Sequence, residues 1–221
     1  LGLCNHEMRK RALSMEKMTR NIVSKFARHC LTVAVFAAVL SVPAFAAAGT
    51  YQIDPNHSTA QFVVRHLGIS NVQGDFTKVS GTVVLDDEDI SKSTVNAAID
   101  VSSVDTRVQS RDNDLKSPNF FDVAKYPTMT FTSTKIWSTG NGTAKMTGNL
   151  TIHDITKEVT FDVTGPTAPI NAMGGMRRGV EATMKISRKD FGITADAGFV
   201  GDEISITIDA ELLQRTAGQP H

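Results

Sequence analysis

The chain has 221 residues, 41% of them hydrophobic and 21% charged, with 23 basic residues matched by 23 acidic ones. This length and composition support one sizeable core and exclude a fibrous or low-complexity chain. Seven basic and two acidic residues precede Ala47, which leaves 16 against 21 downstream, an acidic excess that argues against nucleic acid and against electrostatic adhesion to anionic lipid.

Near the N-terminus, Lys17, Arg20, Lys25 and Arg28 lead into an apolar run over residues 31–42, followed by Pro43 and Ala44-Phe45-Ala46. A basic flank, an apolar centre shorter than the roughly 20 residues of a membrane span, and a small-x-small end make the pattern of a secretory signal. Residues 1–46 are therefore expected to be an N-terminal extension plus a cleaved signal peptide. Cleavage before Ala47 would export residues 47–221 as one domain, with no stable membrane anchor. Both cysteines, Cys4 and Cys30, lie upstream of that cut, so the domain has neither a disulfide nor a thiol nucleophile.

Downstream, strands follow one another. Residues 51–54, 58–67 and 79–86 are extended runs rich in Val and Thr. Over 94–101, Val95, Ala97, Ile99 and Val101 alternate with Thr94, Asn96, Ala98 and Asp100. Residues 145–152, 158–163, 180–187 and 203–212 repeat the pattern, the last through Ile204, Ile206, Ile208, Ala210 and Leu212. Period two with one wet face marks antiparallel sheet. Gly140 to Gly142 and His153-Asp154 read as hairpin turns, and Asp86 to Asp89 as a connection. About eight strands with no linker leave a sandwich or a closed barrel as solutions. A barrel of that size is just wide enough to be filled by side chains or to hold one small ligand.

One stretch breaks the alternation: residues 111–127, "RDNDLKSPNFFDVAKYP". Val108, Arg111 or Asp112, and Leu115 fall on one helical face, with Arg111 and Asp112 expected to pair. Ser117-Pro118 is expected to open a second short helix, with Ser117 as N-cap and Pro118 at N1. Phe120 and Phe121 both meet an apolar surface only if that surface is concave. The physical reading is a helical crossover capping one end of an antiparallel β-barrel.

Candidate lining residues of an apolar interior are Phe62, Val64, Phe76, Leu115, Phe120, Phe121, Phe131, Phe161 and Phe191. Arg65 and Arg111 are candidate contacts for a polar head group, since guanidinium matches phosphate in a bidentate fork. Arg177 and Arg178 follow a glycine cluster and read as solvated loop-to-strand residues. His57, His66 and His153 show no metal-ligand spacing, and the Asp86 to Asp89 run lacks the glycine and terminal glutamate of a calcium loop. No nucleophile elbow, phosphate loop or dinucleotide fingerprint occurs. Neither a cofactor nor an enzymatic activity is expected.

The stretches "IDPNHSTAQFVVRHLGISNVQGDF", "SSVDTRVQSRDNDLKSPNFFDVAKYPTMTFTST", "GNLTIHDITKEVTF" and "ISRKDFGI" followed by "VGDEISITIDAEL" resemble the YceI family of bacterial proteins, in order, over residues 51–213. The chain departs from the family pattern at Asp114, where histidine is common, and at Asp154, where glycine is. The resemblance implies a lipocalin-like barrel, export to the periplasm, and binding or carriage of a polyisoprenoid or similar amphiphilic lipid; it also makes a homodimer plausible. The alternative is an exported, stress-related interaction protein whose barrel is packed and holds no lipid.

Overall fold

The computed structural model describes residues 48–215. The expected signal segment and its cleavage site before Ala47 lie outside the described residues.

Among the described residues, twelve strand segments and one α-helix follow the order β1 (Gly49–Ile53), β2 (Thr59–His66), β3 (Ser70–Phe76), β4 (Val79–Leu85), β5 (Thr94–Asp100), β6 (Val104–Asp105), α1 (Gln109–Lys116), β7 (Thr128–Gly140), β8 (Thr143–Ile152), β9 (Ile155–Thr164), β10 (Ile170–Ala172), β11 (Gly175–Ser187) and β12 (Val200–Arg215). The segments make eight staves. Both β1 and β2 run antiparallel to β12, β1 at Leu212 and Leu213 and β2 from Asp209 back to Val200. Segments β4 and β3 lie beside them in turn, and β5 and β6 beside those. Three consecutive staves are thus each broken in two, at residues 54–58, 77–78 and 101–103. Beyond them β7, β8, β9 and β11 complete the ring, and β11 closes it on β12 from Gly175↔Arg215 to Ser187↔Glu203. The result is a closed eight-stranded antiparallel barrel, as the alternation implied.

Closure leaves each strand one inward row. On β12 that row is Ile204, Ile206, Ile208, Ala210 and Leu212; on β8 it is Ala144, Met146, Gly148, Leu150 and Ile152. Two inward glycines carry rings from other strands. A Cβ at Gly74 would lie 2.4 Å from Cζ of Phe62, and one at Gly148 would lie 2.5 Å from Cζ of Phe131. Each ring therefore covers backbone where its neighbour has no side chain.

The crossover differs from expectation in two places. Ser117 ends α1 as its C-cap (φ −72°, ψ 168°) instead of opening a second helix, and residues 118–121 and 123–125 form turns. Pro118 is the cause, because proline disfavours helical backbone at the residue before it. Arg111 and Asp112 do not tie the crossover down through each other. Both grip Thr106: Asp112 Oδ1 accepts from the Thr106 N–H (2.8 Å) and hydroxyl (2.5 Å), while Arg111 donates to Thr106 Oγ1 and its carbonyl, each at 2.8 Å. Val108, expected on the inner face, is the exposed N-cap.

Candidate functional site: an apolar cavity under a phenylalanine cap

The inward rows do not meet at the axis. They leave a cavity of about 260 Å³, slightly below the ~300–1,000 Å³ usual for small-molecule sites. Its wall is almost wholly aliphatic and aromatic, and all nine sequence-predicted residues line it: Phe62, Val64, Phe76, Leu115, Phe120, Phe121, Phe131, Phe161 and Phe191. Phe131 and Phe161 meet edge to face (5.2 Å, 85°) in the strand wall. At the capped end Phe76 bridges Phe62 (5.7 Å) and Phe121 (5.6 Å, 70°), so the cap is held to the barrel by a row of three rings. Phe120 is buried, whereas Phe62, Phe121 and Leu115 are only half-buried.

A second clamp holds the cap. Tyr126 stacks on His153 at 4.8 Å and 27°. The His153-Asp154 turn joins Ile152 to Ile155 as expected. The left-handed residue, however, is His153 (φ 58°), not Asp154. That geometry goes with the imidazole's placement against the tyrosine ring.

Among the described residues, Arg188 is the one charged side chain in the cavity wall, and the sequence reading missed it. Its guanidinium donates to the carbonyls of Gly201 (3.0 Å), Ile193 (3.0 Å), Ala195 (2.6 Å) and Val200 (3.1 Å). Two carbonyls of the β11–β12 connection and two at the start of β12 thereby find a partner in the guanidinium.

Comparison with known proteins agrees with this architecture. The YceI-like domain family matches residues 51–212. This chain belongs to the YceI family. It is 38% identical over 182 residues to Protein YceI of Salmonella agona, covering 81% of this chain and 95% of that one. A solved Campylobacter jejuni YceI protein is 32% identical with a TM-score of 0.62, covering 69% of this chain and 90% of that chain. A domain from Saccharophagus degradans described as polyisoprenoid-binding shares the fold, with a TM-score of 0.57 at 16% identity over 74% of this chain and 97% of that one.

In this YceI-family barrel the polar candidates lie elsewhere than the cavity wall. Arg65 is exposed and braces the β2–β3 turn through Asn71 Oδ1 (2.9 Å) and the Gly68 carbonyl (2.8 Å). Arg111 holds Thr106. Arg177 and Arg178, expected in solvent, are buried within β11. The glycine cluster before them forms the tight β10–β11 hairpin, which places both arginines in the sheet. Arg178 shares the inward parity of Val180 and Ala182. It forks onto Asp87 (2.7 and 2.6 Å) and lies 5.7 Å from the Tyr51 ring, closing the barrel opposite the cap.

Arg177, on the outer face, donates to Asp54 Oδ2 (2.9 Å) and to Glu211, and His57 Nδ1 lies 3.0 Å from the same Asp54 oxygen. Burial pushes the Asp54 carboxyl up, but hydrogen bonds from Arg177 and His57 outweigh it and hold its pKa at about 2. Asp54, His57 and Glu211 are close enough to share an ion; here one guanidinium already matches both carboxylates. The carboxylates of Asp86 and Asp89 are engaged by the backbone N–H groups of their own turn.

Proposed function

We propose that this protein is an exported, periplasmic carrier that holds a polyisoprenoid or comparable long-chain amphiphile inside the barrel. The observation that carries the proposal is the apolar cavity: about 260 Å³ with one charged side chain, which faces backbone carbonyls. Apart from Arg188 the wall's polar residues are Gln61, Ser93 and Thr130, and the Ser93 hydroxyl accepts from the Asp86 N–H at 2.9 Å. What the wall offers is burial. Each methylene removed from water contributes about 0.8 kcal/mol, so ten contribute roughly 8 kcal/mol before association costs.

Membership of the YceI family, and the polyisoprenoid-binding description of the Saccharophagus degradans domain, support the ligand class. The signal pattern before Ala47 supports the compartment. The test is native mass spectrometry of protein recovered from the periplasm without detergent, with organic extraction of the same sample and N-terminal sequencing. One lipid adduct per chain on a polypeptide starting at Ala47 is the expected result. A clean unliganded mass that persists after incubation with polyprenyl and fatty ligands would overturn carriage and favour an interaction protein with an idle barrel.

A further inference from the structure

The capped end of the barrel carries three large apolar side chains that stand about half or more in solvent. Ile69 is 78% exposed, Phe199 61% and Leu67 49%. They come from two loops, the β2–β3 turn and the β11–β12 connection, which the Leu67 N–H joins by donating to the Phe199 carbonyl at 2.6 Å. Arg65 braces the turn from behind through the Gly68 carbonyl. Leu67 and Gly68 take left-handed backbone (φ 53° and 71°), the pair of positive φ angles that a type I′ hairpin turn requires. The loops also adjoin the cavity: Val64, three residues before Leu67, and Val200, next to Phe199, both line it.

We propose that this rim docks reversibly into the surface of a lipid bilayer, with Leu67, Ile69 and Phe199 entering the interfacial layer so that the capped end of the cavity faces the membrane. The acidic excess of the domain works against an anionic surface, so the occupant is a bilayer of zwitterionic head groups held by apolar insertion. A second copy of the chain fits the rim poorly. An aromatic side chain such as Phe199 buries about 150–250 Å² and the smaller Leu67 and Ile69 less, so the three fall short of the ~800 Å² per partner of a stable interface. Val108, at the N-cap of α1, is exposed as well, while Ile170 and Met173 sit on the β10–β11 hairpin at the opposite end, where Arg178 and Asp87 close the barrel. Docking there would set lipid against an ion pair, not against the cavity. The inference extends the carrier reading, but rim insertion is measured whether or not the cavity carries lipid.

Trp137 is the single tryptophan, so a Trp137→Phe chain gives a dark background for one reporter at a time. In that full-length background, Ile69→Trp, Phe199→Trp and, as a control for the opposite end, Met173→Trp are mixed with phosphatidylcholine vesicles containing brominated acyl chains. All three sites are exposed, so the fold tolerates the reporters; circular dichroism checks this. The expected result is a blue shift and at least twofold quenching at positions 69 and 199, with position 173 unchanged. Unquenched emission at 69 and 199, or equal quenching at 173, overturns the proposal. A blue shift that grows with protein concentration and ignores the bromines overturns it in favour of self-association. Lipid found in the cavity by mass spectrometry with no rim quenching would leave carriage standing and remove the docking surface alone.

Discussion

Replacing Phe121 with aspartate tests whether the cap retains a ligand. The ring lies edge-on to Phe76 at 5.6 Å and forms part of the cavity wall while remaining half-buried. Losing a half-buried phenylalanine costs about 1–2 kcal/mol of burial, and losing the edge-to-face pair about 0.5–1.5 kcal/mol more. For a domain of this size each kcal/mol shifts Tm by about 2–4 °C, so Tm should fall by roughly 5–10 °C while the barrel stays folded. Retention should suffer more, because a chain passing the new carboxylate must strip its water, at several kcal/mol against the roughly 8 kcal/mol from ten buried methylenes. A loss of about 3 kcal/mol is over 100-fold in affinity. Phe121→Leu, which keeps an apolar wall, should stay within about tenfold of the parent. The assay is adduct occupancy by native mass spectrometry after detergent-free purification, alongside thermal melts. A folded Phe121→Asp protein that still carried one lipid per chain would refute the assignment of this segment as the cap over the ligand.

Two further changes probe what holds the barrel. Asp54 ionises in the fold at about 2 against an ordinary 3.8; a depressed acid stabilises the fold above its unfolded pKa and loses that contribution as pH falls through the folded one. About 2 kcal/mol should therefore be present above pH ~4 and disappear towards pH ~2. Urea titrations across that window should show the slope, and Asp54→Asn should flatten it. At Gly148, an added Cβ would stand 2.4 Å from the Thr132 carbonyl oxygen and 2.5 Å from the Phe131 ring. Gly148→Ala should thus destabilise by about 1–3 kcal/mol through overpacking. An unchanged urea midpoint would mean that the Phe131 ring and the Thr132 backbone both give way freely.

The barrel was legible in the sequence because its inward rows obey period two with few interruptions, as the β12 row from Ile204 to Leu212 illustrates. That the runs on either side of residues 54–58, 77–78 and 101–103 share one stave was not, since a strand that bends and resumes reads as two strands. The phenylalanines at the cavity were found by the same alternation together with the single helical stretch. The arginines were misplaced for a different reason. Their partners lie far along the chain, Asp54 and Asp87 from the first half against Arg177 and Arg178 in β11, and local charge patterning carries no trace of such pairs. Arg188 escaped notice because its partners are carbonyls, which no side-chain pattern records. The cap was half-read: its helix was visible, but the proline that ends it was taken as the start of another.

The fastening of Arg188 bears on selectivity. With four of its five N–H donors engaged by the carbonyls of Ile193, Ala195, Val200 and Gly201, the wall's single charge is committed to backbone and offers a guest little directional bonding. A lumen of that kind sorts molecules by girth and reach and is indifferent to polar chemistry along their length. Straight and branched chains of equal cross-section would be near equivalents inside it, and discrimination among them would fall to whatever protrudes.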